Sequence, residues 1–173
     1  VNTAFLAGEL DIALAGSAPV TRGLSQPLDI HYQVAWIHDV IDDNEALVAV
    51  EGITEVADLA GTTVAVPFAS TTHYHLIAAL DEAGLTVDDV TLLDLEPPDI
   101  LAAWQRGDID AAFVWYPVLG QLRAAGGTTL ITSGELADRG KVTADLGVVS
   151  TDFATAYPEA LATWVEQQNR AVA

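Results

Sequence analysis

Short apolar runs alternate with helical stretches along almost the whole of this chain, and that alternation leaves few folds open. Runs that read as strands fall at Glu9–Ala15, Leu28–Ile37, Ala46–Val50, Thr63–Phe68, Val90–Leu95, Ile109–Val114, Thr129–Thr132 and Leu146–Ser150. Helical patterns lie between them, at Ser17 to about Ser25, Thr72–Ala83, Pro98–Arg106 and Pro117–Ala125, with a brief turn at Val56–Ala60. Asp152–Ala171 holds the last long helix, and Val1 opens in what reads as a helix tail. Pro98 at a helix start and Gly107 just past its end follow the usual punctuation of helices. Strands alternating with helices in this way build βα units, so the expected fold class is α/β with a mostly parallel sheet.

At 173 residues the chain is long enough for one ordinary domain or two small lobes. Polar segments carrying Gly, Glu and Lys near Ala49–Thr54 and Ala137–Thr143 suggest two crossings. On that reading residues 1–49 begin a first lobe, residues 50–142 form a second, and residues 143–173 return to the first. A cleft between two such lobes is a preferred place for a small ligand.

Composition removes several functions. The chain carries 25 acids against 6 bases, a net charge of −19, with Lys141 its one lysine. A field of that sign repels nucleic acid and anionic membranes, and no basic cluster offers phosphate contacts. The acids are spread along the chain, as on a solvated surface of the kind salt-adapted proteins carry. No apolar run nears the ~20 residues of a membrane helix. With no cysteine there is no disulfide framework, zinc–thiolate cluster or thiol nucleophile to propose.

The most informative local stretch is Val66-Pro67-Phe68-Ala69-Ser70-Thr71-Thr72-His73-Tyr74. A strand ending in Ser-Thr-Thr at a helix start turns unpaired N–H groups and hydroxyls outward, with the positive end of the helix dipole behind them. That is an anion site in outline, although the same residues cap many helices for structural reasons alone. Gly16-Ser17-Ala18 occupies a second strand-to-helix turn.

These segments, with Glu45-Ala46-Leu47-Val48, Pro97-Pro98, Ala103-Trp104-Gln105-Arg106-Gly107-Asp108-Ile109-Asp110 and Val114-Trp115-Tyr116-Pro117, occur in an order and spacing that resembles the taurine-binding periplasmic proteins of ABC importers. Those belong to a wider group that binds nitrate, alkanesulfonates and thiamine precursors. The resemblance covers nearly the whole chain. It implies a type II periplasmic binding protein, two α/β lobes joined by a hinge, in a periplasmic or extracytoplasmic setting. The family would have further strands and a helix before Val1 and helices after Ala173, so the chain reads as a fragment with an incomplete first lobe.

Taurine is a sulfonate and an ammonium joined by two methylenes, so a site for it needs neutral donors at one end and a carboxylate with aromatics at the other. The resemblance assigns Thr71, Thr72 and His73 to the sulfonate, with Ser17 and Ala18 as the matching turn of the other lobe. Asp145, before the strand Leu146–Ser150, and Glu45, before Ala46–Val50, are the carboxylates expected to meet the ammonium. Trp115 is expected over the methylenes or the ammonium, where cation–π attraction is worth ~0.5–2 kcal/mol. Trp36 is a weaker case, Tyr116 is undecided, and Trp104, inside a helix, reads as core. Arginines fall in helices or loops where solvated surface is the default, which disfavours ligands with several negative charges. His73 and His75, two apart on a helix, diverge by about 200° and do not chelate one ion together. No nucleophile elbow surrounds Ser70.

The expected function is therefore capture of a small organosulfonate, taurine first, for an ABC transporter permease. No enzyme chemistry, metal or cofactor is called for, and membrane contact comes only through the transporter or a lipid anchor outside this chain. The alternatives are a binding protein for an alkanesulfonate or nitrate, a thiamine-precursor enzyme on the same fold, and a ligand-sensing regulatory domain.

Overall fold

The computed structural model describes residues 1–171. In chain order they form α1 (Asn2–Leu6), β1 (Ile12–Gly16), α2 (Ser17–Leu24), β2 (Tyr32–Val40), β3 (Glu45–Ala49), β4 (Thr63–Val66), α3 (Thr71–Glu82), β5 (Thr91–Asp94), α4 (Pro97–Arg106), β6 (Ala111–Trp115), α5 (Val118–Ala124), β7 (Thr128–Thr132), α6 (Ser133–Asp138), β8 (Ala144–Ser150), α7 (Thr151–Ala156) and α8 (Pro158–Ala171). Two 3₁₀ turns lie at Val56–Leu59 and Val87–Asp89. The chain divides into two compact units, one of Val1–Val40 with Ala144–Ala173 and one of Ile41–Thr143.

In the first unit β8 is the central strand of a three-stranded sheet and runs antiparallel to both β1 and β2. Phe5, Val20, Ile30, Tyr32 and Val148 form its core, and the Tyr32 hydroxyl is 3.0 Å from the Val20 carbonyl it donates to. The Trp164 ring of α8 packs where a side chain at Gly147 would stand, meets Trp36 edge to face, and Trp36 Nε1–H donates to Asn169 at 2.9 Å.

The second unit holds a five-stranded sheet in the order β5-β4-β6-β3-β7. Its strands alternate between two cores, as the period of two along a strand requires. Leu47, Val64, Val66 and Phe113 meet Leu76 and Leu80 of α3 on one face, and Ala46, Val48, Ala65 and Val114 meet Ile100, Leu119 and Leu122 of α4 and α5 on the other. Every residue of β3 is buried, which explains its unbroken apolar run after Glu45.

Several expectations need correction. The sheets are not mostly parallel: β4 pairs in parallel with β5 and β6, while β3 is antiparallel to β6 and β7 and the first unit is antiparallel throughout. Strands β3 and β8 both enter their sheets straight from a crossing, with no crossover helix to force a parallel return. The second compact unit runs from Ile41 to Thr143, so β3 lies within it. The strand expected from Leu28 starts at Tyr32, because Leu28 and Asp29 turn back onto the Ser25 carbonyl and Asp29 takes φ +43°. The last long helix lies within the expected Asp152–Ala171 as α8, separated at Tyr157 from α7 because Pro158 has no N–H to continue it. Helix α6 was not expected at all.

Candidate functional site

The start of α3 is built by its own hydroxyls. Ser70 is the N-cap: its Oγ accepts from the His73 amide at 3.1 Å and donates to the Pro67 carbonyl at 2.6 Å. Having one proton, it must accept from the Thr72 hydroxyl 2.8 Å away. The Thr71 hydroxyl donates to Glu45 Oε1 at 2.7 Å. Thr71 and Thr72 are both buried. The hydroxyls expected to meet a sulfonate are thus spent on the turn itself. The amides of Thr71 and Thr72 are first-turn donors with no carbonyl a turn behind them, at the positive end of a 12-residue helix, and both residues are covered from solvent in this structure.

His73 completes this turn. Its Nδ1 accepts from the Ala69 amide at 3.0 Å, so the neutral ring carries its proton on Nε2. Burial lowers the ring's pKa and the nearby Asp94 carboxylate opposes that. Phe68 stacks on it, centroids 4.5 Å apart and planes 8° from parallel. Ala69 holds φ +60°, a left-handed conformation that a residue with a Cβ seldom takes, and this tight step from β4 brings His73 back over Phe68.

Glu45, the first residue of β3, lies opposite Trp115, the last of β6. Its carboxyl is buried and reaches inward: Oε1 takes the Thr71 hydroxyl and Oε2 the Ser133 hydroxyl at 3.1 Å. Behind Ser133 stands His75, fully buried, whose pKa burial lowers. Ser133 and His75 were not anticipated as site residues. The signal for Ser133 was present, since Thr132 and Glu135 form a reciprocal capping box that announces α6. Among the described residues no three His, Asp or Glu side chains gather to hold a metal ion.

The first unit holds the other expected residues. Ser17 and Ala18 open α2, where Gly16 is the N-cap, and Ser17 Oγ accepts from the Ala144 amide at 3.2 Å. Asp145 pairs across β8 with Gly16 of β1 and Asp39 of β2. Burial raises its pKa, the facing Asp39 raises it further, and His38 acts the other way. Like charges set directly opposite on a sheet repel, so Asp39 and Asp145 form a place where a cation lowers the energy. The structure brings Glu45, Thr71, Thr72, His73 and Trp115 together in one unit, and Ser17, Ala18 and Asp145 in the other. Arg106, Arg139 and Arg170 pair with surface carboxylates, and Arg123 contacts Tyr116 and Thr129.

The NMT1-like family model matches residues 1–173. The chain belongs to the NMT1-like family. The resemblance read from the sequence is borne out by the taurine-binding periplasmic protein of Escherichia coli (strain K12), 41% identical over 156 residues, which are 90% of this chain and 48% of that protein. Among solved structures, the alkanesulfonate-binding protein SsuA from Xanthomonas axonopodis pv. citri, bound to MOPS, superposes with a TM-score of 0.81 at 24% identity, over 98% of this chain and 58% of that one. The desulfurization enzyme DSZB shares the fold at a TM-score of 0.66 and 17% identity, over 91% of this chain and 60% of that one. The α/β fold is thus that of the periplasmic binding proteins in this family, and the chain spans about half the length of the relatives it matches.

Proposed function

We propose that this chain is part of the solute-binding protein of an ABC importer and captures a small organosulfonate, most specifically taurine. The observation that carries the reading is a helix head with no cation in it: the Thr71 and Thr72 amides open α3, and His73 of the same turn is held with its neutral-ring proton on Nε2. Such a site suits a sulfonate, whose single charge is spread over three oxygens. The first unit carries a strand-to-helix turn of its own, with Ser17 and Ala18 at the head of α2. Asp145, set opposite Asp39, is the carboxylate suited to an ammonium, and in the second unit Trp115, opposite Glu45, is the aromatic suited to a methylene chain. Glu45 serves through Thr71. The name of the taurine-binding periplasmic relative supports this ligand class and an extracytoplasmic setting, and the partner that the reading calls for is a transporter permease.

The second reading is capture of an alkanesulfonate or nitrate, which needs the anion turn and no carboxylate. The Asp39–Asp145 pair favours the zwitterion. An enzyme on this fold is the third, and this chain contains no cysteine to serve as a thiol nucleophile. The first two separate by calorimetry on Asp145→Ala: taurine is expected to lose ~2–5 kcal/mol while an alkanesulfonate keeps its affinity. Equal losses for both ligands would discard the ammonium site.

A further inference from the structure

Three short contacts run in series through the interior of the second unit. His75 Nε2 is 2.7 Å from the Lys141 carbonyl oxygen, His75 Nδ1 is 2.7 Å from Ser133 Oγ, and Ser133 Oγ is 3.1 Å from Glu45 Oε2. Each contact needs a proton. The carbonyl only accepts, so Nε2 carries hydrogen, and Nδ1 of the neutral ring then has none. Ser133 brings one hydroxyl proton. A neutral histidine, a serine and a carboxylate supply two protons for three contacts.

We propose that the chain Glu45–Ser133–His75 holds one further proton, shared between carboxyl and imidazole, and that it positions the first turn of α3 while cancelling the charge that Glu45 would otherwise place one hydrogen bond from the anion-receiving amides. With the proton on Oε2, Glu45 donates to Ser133, Ser133 to Nδ1, and Nε2–H to the carbonyl. With it on Nδ1, the ring donates to Ser133 and Ser133 to the carboxylate. All three contacts are satisfied either way, and the net charge of the pair is zero. Burial works against a charge on the imidazole and the carboxyl oxygen 4.0 Å away works for it, so a proton shared along the chain answers both. Among the described residues the other neighbours are engaged elsewhere: Tyr74 and Phe113 flank the ring, Asp42 and Asp43 lie against Gly134 on α6, Glu135 caps that helix at Thr132, and Arg139 pairs with Glu82 at the surface.

The role beside the anion rests on the function proposed above; the proton count does not, and it is measured without ligand. Above the ordinary histidine value of 6.5 the unfolded pair binds no proton and the folded chain binds one, so the folding equilibrium is expected to weaken an extra tenfold per pH unit. Glu45→Gln, whose amide donates to Ser133 without titrating, should fold and lose that extra slope; identical slopes in the two proteins would overturn the proposal. Nitrogen-15 NMR of His75 in the wild type is an independent readout. Ring shifts that stay constant between about pH 6 and 8 are expected, and a ring that titrates like a free histidine would overturn it. Ser133→Ala should then weaken taurine and an alkanesulfonate alike, by about tenfold. Unchanged affinity would remove the positioning role, whereas a wild type that ignores both ligands would remove the proposed function and leave the proton count standing.

Discussion

Asp145 stands half-buried in β8 with Asp39 directly across from it, and folding therefore works against its ionised form. A pKa raised above the ordinary aspartate value of 3.8 means a cost that is absent below that value and complete once the pH has risen through the folded one. Asp145→Asn is accordingly expected to melt higher than the wild type at pH 7, with the gap closing as the pH falls toward 3.8. A variant that melts lower at neutral pH would mean that the carboxylate already has a favourable partner. The type of residue at this site was legible from sequence, because a carboxylate before a strand and a Ser-Thr-Thr turn before a helix each carry their chemistry on their face. What those residues touch was not. Glu45 meets Thr71 across 26 positions and Ser133 across 88, contacts that only the packing of β3, α3 and α6 creates.

Helix α4 illustrates the element scale. Pro97 and Pro98 open it, Arg106 closes it against the dipole, and Gly107 leaves it at φ +73° with open space around a would-be Cβ. With no clash to add, Gly107→Ala should cost only the left-handed conformation, about 1 kcal/mol, read as a lower urea midpoint at unchanged slope. An unshifted midpoint would mean that the turn relaxes away from φ +73° without cost. Punctuation of this kind is local, which is why α3, α4 and α5 were readable to within a residue or two. Strand direction is not local. An apolar run reads the same in either sense, so the antiparallel entry of β3 and β8 escaped the sequence, as did the six-residue α6, despite its capping box and the Gly140 that ends it at φ +86°.

At the scale of the molecule, an acidic chain with a net charge of −19 is proposed to take up an anion, and local construction has to overcome the overall field. It does so with first-turn amides, a neutral imidazole N–H and a carboxyl whose charge is cancelled inside the fold, all within reach of contacts that solvent screens little; the wider field decays over roughly 8 Å at physiological salt. The α/β class followed from the alternation of runs, and the family from motifs spread across both units. The most direct test is a calorimetric titration of the intact protein with taurine, an alkanesulfonate and nitrate in parallel. One taurine per chain, bound more tightly than either comparator, is the predicted result. No heat with taurine, or equal affinity for nitrate, would contradict it.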